Sequence, residues 1–242
     1  MSERIYGRHP VMEAIETGAN LEKIYLKVGT KGDHLSLAAR KAGVPVSYVP
    51  QEKLDRLSKG ANHQGVVAQI AMVGYQDLDT VIEAVLEKKE VPLFIMLDGV
   101  TDVRNMGAIA RTAECLGAHA LIVPASGSAP LSADAVKTSA GALMHLPVCR
   151  VGHLVDAMLL LQSHDIAIIS ATEKAKESIY HMNMTGPLCI VMGNEERGVS
   201  SSIIKRSDEL ANIPMRGNIN SLNVSVASAL VIGEVARQRW GL

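Results

Sequence analysis

Three separated stretches concentrate this chain's polar, irregular sequence: Asn105-Met106-Gly107 with Arg111, then Gly193-Asn194-Glu195-Glu196-Arg197-Gly198, then Ser221-Leu222-Asn223. Their amides, carboxylates, hydroxyl and guanidinium, with glycines that let backbone N–H groups come close, are suited to hold a polar or anionic ligand. Each stretch follows a run that reads as a buried strand. All three therefore belong at strand ends, where open α/β sheets bind ligands.

Each stretch also admits a plainer reading. Asp98-Gly99-Val100-Thr101-Asp102 and Asn105 fit a strand-to-helix turn in which Asn105 is the N-cap. Arg111 lies in the small, apolar run Ala108-Ile109-Ala110 and Thr112-Ala113, so its charge needs either an ion pair or a site to face. Gly193 to Gly198 has the spacing of a phosphate-binding loop, but Val199-Ser200 stands where its lysine belongs, which disfavours a nucleotide triphosphatase. No dinucleotide-binding fingerprint follows the first strand. Ser221 to Ala227 opens the last helix with small and β-branched residues, poor helix formers that packing or function must select. Ser221 or Asn223 as an N-cap leaves their pairing unexplained. No nucleophile elbow marks a serine hydrolase, and the eight histidines show no metal spacing. His63 in Gly60-Ala61-Asn62-His63-Gln64-Gly65 stands out, with turn stabilisation an equal alternative.

The elements that must position these residues change character along the chain. From Tyr6 to Ile70 the pattern gives a helix through Ala14-Ile15 ending near Thr17-Gly18, a strand at Lys23 to Val28, a helix from Leu35 to Ala42, and strands at Val44 to Val49 and Val66 to Ile70. A polar stretch from Gly74 to Asp79 and a helix through Lys88 lead onward. From Pro92, runs apolar on both faces begin at Leu93, Ala120, Ile166 and Leu188, with a fifth from Leu210 to Met215, as covered parallel strands require. Helices are expected near Gly107 to Leu116, Ala133 to Leu143, Val155 to Gln162 and Leu222 to Gln238.

Composition limits the function classes. With 242 residues, 48% hydrophobic content and a mean hydropathy of +0.16, the chain can bury a sizeable core beside a second small domain. No apolar run approaches the roughly 20 residues of a membrane span, and Met1-Ser2-Glu3-Arg4 begins no signal peptide, so a cytoplasmic location is expected. Cys115, Cys149 and Cys189 are odd in number and sit in apolar surroundings, which predicts three buried thiols. Net charge is −1, yet residues 1 to 74 carry 10 Lys and Arg against 7 Asp and Glu, and the remainder 14 against 18. This permits nucleic-acid contact at the amino-terminal part without demanding it. Aromatics at 3% leave few stacking platforms for single-stranded RNA.

At its three stretches the chain resembles the SpoU, or TrmH-like, branch of the SPOUT RNA methyltransferases. Asn105 to Thr112 is similar to the family's first motif, Val191 to Gly198 to its second, and Ile213-Pro214-Met215 through Ser221 to Ala227 to its third. Gly7-Arg8-His9-Pro10-Val11 and His63-Gln64-Gly65-Val66 resemble the substrate-binding domain of the subgroup that methylates a guanosine 2′-hydroxyl in large-subunit ribosomal RNA. The resemblance implies an α/β fold: a parallel-sheet SPOUT domain (92–242) with a carboxy-terminal trefoil knot, a linker with a connecting helix (75–91), and a small α/β RNA-binding domain (1–74) like ribosomal protein L30e. It implies S-adenosyl-L-methionine held bent in the knotted loops, a homodimer pairing through the methyltransferase domain, and large-subunit ribosomal RNA as partner. A transfer RNA ribose methyltransferase and a noncatalytic ribosome-assembly factor are the alternatives. Carried over residue by residue, Gly193, Ile213 and Leu222 are expected to contact the cofactor, and Asn105, Arg111, Glu195, Ser221 and Asn223 to form the catalytic set. Asn194 and Asn218-Ile219-Asn220 receive no chemistry.

Methyl transfer from a sulfonium needs no metal, only an aligned ribose oxygen relieved of its proton. The arginine matching Arg111 is often proposed as the base, but lowering its pKa from about 13 to about 7 would cost roughly 8 kcal/mol. A cationic Arg111 that clamps a substrate phosphate and stabilises the developing alkoxide, oriented by Glu195, is the expectation instead. Arg8, Lys23, Lys27, Arg40 and Lys41 are candidates for phosphate contacts.

Overall fold

The computed structural model describes residues 4–30, 33–71, 73–219 and 221–241; Met1-Ser2-Glu3 and Asn220, considered above, lie outside them. Two compact units are present, one running to Gly74 and taking in Leu131–Ala133, the other Tyr75–Pro130 with Asp134–Leu242.

The first unit has the order β1 (Arg4–Tyr6), α1 (Arg8–Glu16), β2 (Leu21–Lys27), α2 (His34–Lys41), β3 (Val46–Val49), α3 (Gln51–Leu57) and β4 (Val66–Ile70). Its sheet runs β1-β4-β2-β3, antiparallel except for the β2–β3 pair. Alternation along β2 sends Ile24 and Leu26 into a core with Val11, Leu35 and Ala39 of α1 and α2, while Tyr25 faces Leu54 and Leu57 of α3. Both β1 and α3 went unanticipated, since three and seven residues are too short for a period to show. The two amino-terminal segments of the resemblance meet here: Gly7 N donates to Val66 O at 3.2 Å and Arg8 N to Gln64 Oε1 at 3.1 Å. His63 is buried and stabilises the turn. Its Nδ1 accepts from Gly65 N at 3.0 Å and its Nε2 meets Asp55 Oδ1 at 2.8 Å. Arg8 is less available for a phosphate than expected, because it pairs with Asp33, whose carboxyl it holds below the usual aspartate range.

The second unit continues with β5 (Tyr75–Gln76), α4 (Leu78–Glu87), β6 (Leu93–Asp98), α5 (Val103–Cys115), β7 (Ala120–Pro124), α6 (Ala133–Thr138), β8 (Val148–Val151), α7 (Leu154–Ser163), β9 (Ala167–Ala171), β10 (Leu188–Gly193), α8 (Ser201–Ile204), β11 (Glu209–Ala211) and α9 (Val224–Trp240). The sheet order is β11-β9-β10-β6-β7-β8-β5, every described pairing parallel. Phe94, Met96, Ile122, Ile168, Cys189 and Val191 project from it into a core closed by α4 and α7. Residues 75–91 contribute an edge strand and a core-packing helix to this unit. The short β8 was missed; β11 stops at Ala211, short of Met215; and the helix expected to Leu143 ends at Thr138, followed by Ala140 and Gly141 at positive φ. Cys149 and Cys189 are buried, and burial pushes their thiols up, that of Cys149 to about 12. Cys115 corrects the expectation of three buried thiols: it ends α5 on the exposed face. No described helix is long and apolar enough to cross a membrane.

Candidate active site

β6, β9 and β10 run parallel and adjacent, with Gly193 in register with Asp98, so the loops after them leave the same edge of the sheet. The loop after β6 feeds α5. Its N-cap is Asp102, whose Oδ1 accepts from the N–H groups of Arg104 at 2.6 Å and Asn105 at 3.4 Å. This decides between the two readings of Asn105: with capping done by Asp102, its side chain is free for the site. Gly107, two residues on, permits close packing, because a Cβ there would stand 2.7 Å from Thr138 Cβ.

The loop after β10 folds back so tightly that a Cβ on Gly193 would lie 2.2 Å from Gly198 C and Val199 N; only glycine fits. Asn194 holds its shape, accepting at Oδ1 from Glu196 N at 2.9 Å and Arg197 N at 3.3 Å. The third segment is stitched to the loop after β9: Thr172 N donates to Ala211 O at 2.8 Å and Asn212 Nδ2 to Ala175 O at 2.7 Å. It then runs through Ile213 and Ser221-Leu222 into α9, capped by Asn223, whose Oδ1 accepts from Ser225 N at 2.9 Å.

These loops enclose a cleft of about 520 Å³. Gly193, Glu195, Ile213, Ser221 and Leu222 line it, together with Thr172, Glu173, Met192, Met215, Val224 and Ala227. Asn105 and Asn223 join it through hydrogen bonds: Asn105 Nδ2 donates to Glu195 Oε1, and Asn223 Nδ2 donates to Asn105 Oδ1 at 3.0 Å. One amide thus bridges the second and third stretches, and Asn223 both caps α9 and reaches the first.

Arg111 does not line this cleft. It is exposed, two turns along α5, and its side chain has no hydrogen bond or ion pair among the described residues. The expectation that Glu195 orients Arg111 is corrected: within this chain, Glu195 is held by Asn105. Sequence reasoning placed Asp98 and Asp102 in the strand-to-helix turn without giving Asp102 the cap or Asp98 its bond to Ser200 N, and gave Asn194 no chemistry. A polar residue straight after a strand, with free N–H groups two and three positions on, is an Asx-turn signal that could have exposed Asn194.

A family model described as the SpoU rRNA Methylase family matches residues 92–233, and one described as RNA 2′-O ribose methyltransferase substrate binding matches residues 4–76. The chain belongs to the SpoU methylase family. It is 39% identical over 243 residues to the 23S rRNA (guanosine-2′-O-)-methyltransferase RlmB of Yersinia pestis, covering 99% of this chain and 98% of that protein. It is 37% identical over 243 residues to the RlmB of Escherichia coli K12, covering 99% and 100%. Among solved structures, the SpoU methyltransferase AviRb from Streptomyces viridochromogenes in complex with AdoMet is similar at a TM-score of 0.65 and 25% identity, covering 99% of this chain and 91% of that one.

The cleft has the size and lining to take S-adenosylmethionine, the cofactor bound in that AviRb complex. The volume falls within the several hundred Å³ usual for nucleotide-sized ligands. Met192, Ile213, Leu222 and Val224 give the lining an apolar part suited to a purine, and Glu173, Glu195 and Glu196 give it carboxylates suited to a cationic ligand.

Proposed function

We propose that the chain transfers a methyl group from S-adenosylmethionine to the ribose 2′-hydroxyl of a guanosine in 23S ribosomal RNA. The observation that carries this reading is the cleft at the strand ends, where Gly193, Ile213 and Leu222 line one wall beside the Glu195–Asn105–Asn223 network. The cofactor supplies an electrophilic methyl group on a sulfonium. Backbone groups of Gly193, Ile213 and Leu222 hold it, leaving side chains free for the RNA. Asn105 fixes Glu195 and Asn223, while Ser221 and Asn223 hold the third loop and the ribose.

Arg111 clamps a substrate phosphate and stabilises the alkoxide, the proton passing to that phosphate or to water. Its exposure on α5 favours action from a second copy, in a homodimer formed through the methyltransferase domain. Supporting that arrangement, α9 leaves Val226, Leu230 and Trp240 exposed in a row spaced for one helix face. A trefoil knot is consistent with the chain leaving edge strand β11 and returning to pack α9 against α5 and β10. The unit containing residues 1–74 serves as an L30e-like RNA-binding domain; the match of residues 4–76 to a substrate-binding family supports this role.

The test is transfer of labelled methyl from S-adenosylmethionine to 23S ribosomal RNA fragments and to transfer RNA, with mapping of ribose methylation. Label on a guanosine 2′-oxygen of the ribosomal fragment is expected. Label confined to transfer RNA would overturn the substrate, and no label on either RNA the activity.

A further inference from the structure

We infer that Asn194 is a positioning residue: its side chain ties the cofactor loop to the turn that delivers Asn105, and the tie sets where Glu195 stands. The inference rests on the reading above, in which Glu195 and Asn105 serve one reaction.

Pairing of β10 with β6 ends at Gly193 and Asp98. One residue further, Asn194 Nδ2 donates to Gly99 O at 2.9 Å, so a side chain extends the junction past the last ladder pair. The other side of the loop is pinned to the neighbouring residue, Ser200 N donating to Asp98 Oδ2 at 2.7 Å. Between the pins lie Glu195, Glu196 and Arg197, exposed and without a strand partner. Gly99 O belongs to the short turn that ends at Asp102, the cap from which Asn105 projects. Both partners of the Glu195–Asn105 hydrogen bond are therefore referred to one junction, and Asn194 supplies the side-chain link on the Glu195 side of the loop, as Asp98 does on the Ser200 side.

The two ends of the Asn194 amide do different work, which makes the inference testable. Oδ1 accepts from Glu196 N and Arg197 N and shapes the local turn; Nδ2 makes the cross-link. Asn194→Asp keeps both acceptor contacts and nearly the same shape, but sets a carboxylate oxygen against Gly99 O. Asn194→Ala removes both functions.

In the full chain, titration calorimetry with S-adenosylmethionine and single-turnover methylation at saturating cofactor and RNA should both respond. Asn194→Asp and Asn194→Ala are each expected to weaken cofactor binding about tenfold, the effect of one lost hydrogen bond whose acceptor stays unpaired, and to slow the single turnover. In a Glu195→Ala background, which removes the acceptor for Asn105 Nδ2, the rate effect of Asn194→Asp should vanish, since a tie acting through Glu195 has nothing left to position. Wild-type affinity and rate in Asn194→Asp would overturn the inference, leaving the local turn as the whole role; so would a rate effect that persists undiminished beside Glu195→Ala. If Asn194→Asp does not fold, Asn194→Ser, which keeps an acceptor and cannot bridge to Gly99 O as the amide does, is read in the same way. Should neither fold, the side chain holds the fold rather than the site and the inference falls. A wild-type chain that binds no S-adenosylmethionine, or full turnover in both Asn105→Ala and Glu195→Gln, would instead count against the functional reading itself.

Discussion

Asn105 joins Glu195 and Asn223 through opposite ends of one amide, so its donor and its acceptor can be removed separately. Asn105→Asp keeps an acceptor for Asn223 but places a second carboxylate against Glu195. A single-turnover loss of about 10² is expected, the scale of removing one preorganised donor, with cofactor affinity less affected. Arg111→Lys tests the clamp. An ammonium keeps the charge without the guanidinium fork, so the rate at saturating RNA should fall about tenfold or more; a rate near wild type would leave no role for bidentate contact. Of the eight site residues that the family resemblance implies, Gly193, Glu195, Ile213, Ser221 and Leu222 line the cleft, and Asn105 and Asn223 attach to it by hydrogen bonds. The motifs do not reveal that within one chain the partner of Glu195 is Asn105, because a hydrogen bond across 90 residues depends on the register of β6 against β10, which no local pattern encodes.

At the scale of elements, the glycine-bounded loop and α9 carry the sharpest consequences. Gly193→Ala forces a methyl group into the Gly198–Val199 backbone, a contact that neither side can relieve by rotating a side chain. Loss of about 3 kcal/mol of stability is expected in urea denaturation, with cofactor binding weakened in parallel as the loop shifts. On α9, Glu234 is buried; Arg237 binds it through Nε at 2.9 Å and Nη2 at 2.7 Å, and Gln238 through Nε2 at 2.7 Å. The hydrogen bonds from Arg237, followed by those from Gln238, hold its carboxyl below the usual glutamate range against the opposing effect of burial. A depressed carboxylate favours the folded chain above its unfolded value near 4.5, and that contribution is lost as pH falls below this value through the folded one. Glu234→Gln should therefore cost about 1 kcal/mol near neutral pH, with the gap from wild type closing below about pH 4.5; a pH-independent gap would show that packing alone is at work. The long, strongly patterned elements were legible in the sequence. β1, β5, β8 and α3 were not, since short edge or half-buried segments are fixed by their partners rather than by their own period.

At the scale of the molecule, one compact unit gives way to the next at Gly74, and the role of residues 75–91 depends on tertiary contacts. Tyr75 and Gln76 pair with Val148 and Cys149 at the sheet edge, and α4 buries Leu78, Val81, Ile82 and Val85 in the core of the second unit. A polar stretch followed by an amphipathic helix reads the same in sequence whether it bridges two domains or closes one of them. The two cases predict different fragments. Residues 75–242 should fold and bind S-adenosylmethionine as the whole chain does, while losing affinity for RNA and the salt dependence that phosphate contacts give it. Residues 92–242 lack the four buried side chains of α4, whose burial contributes on the order of 6 kcal/mol, comparable to the entire stability of many domains. That fragment should melt without a cooperative transition, or fail to bind the cofactor, even though the cleft lies wholly within it. Equal denaturation midpoints for the two fragments would mean that α4 is a tether and that the sheet is complete from β6 onward.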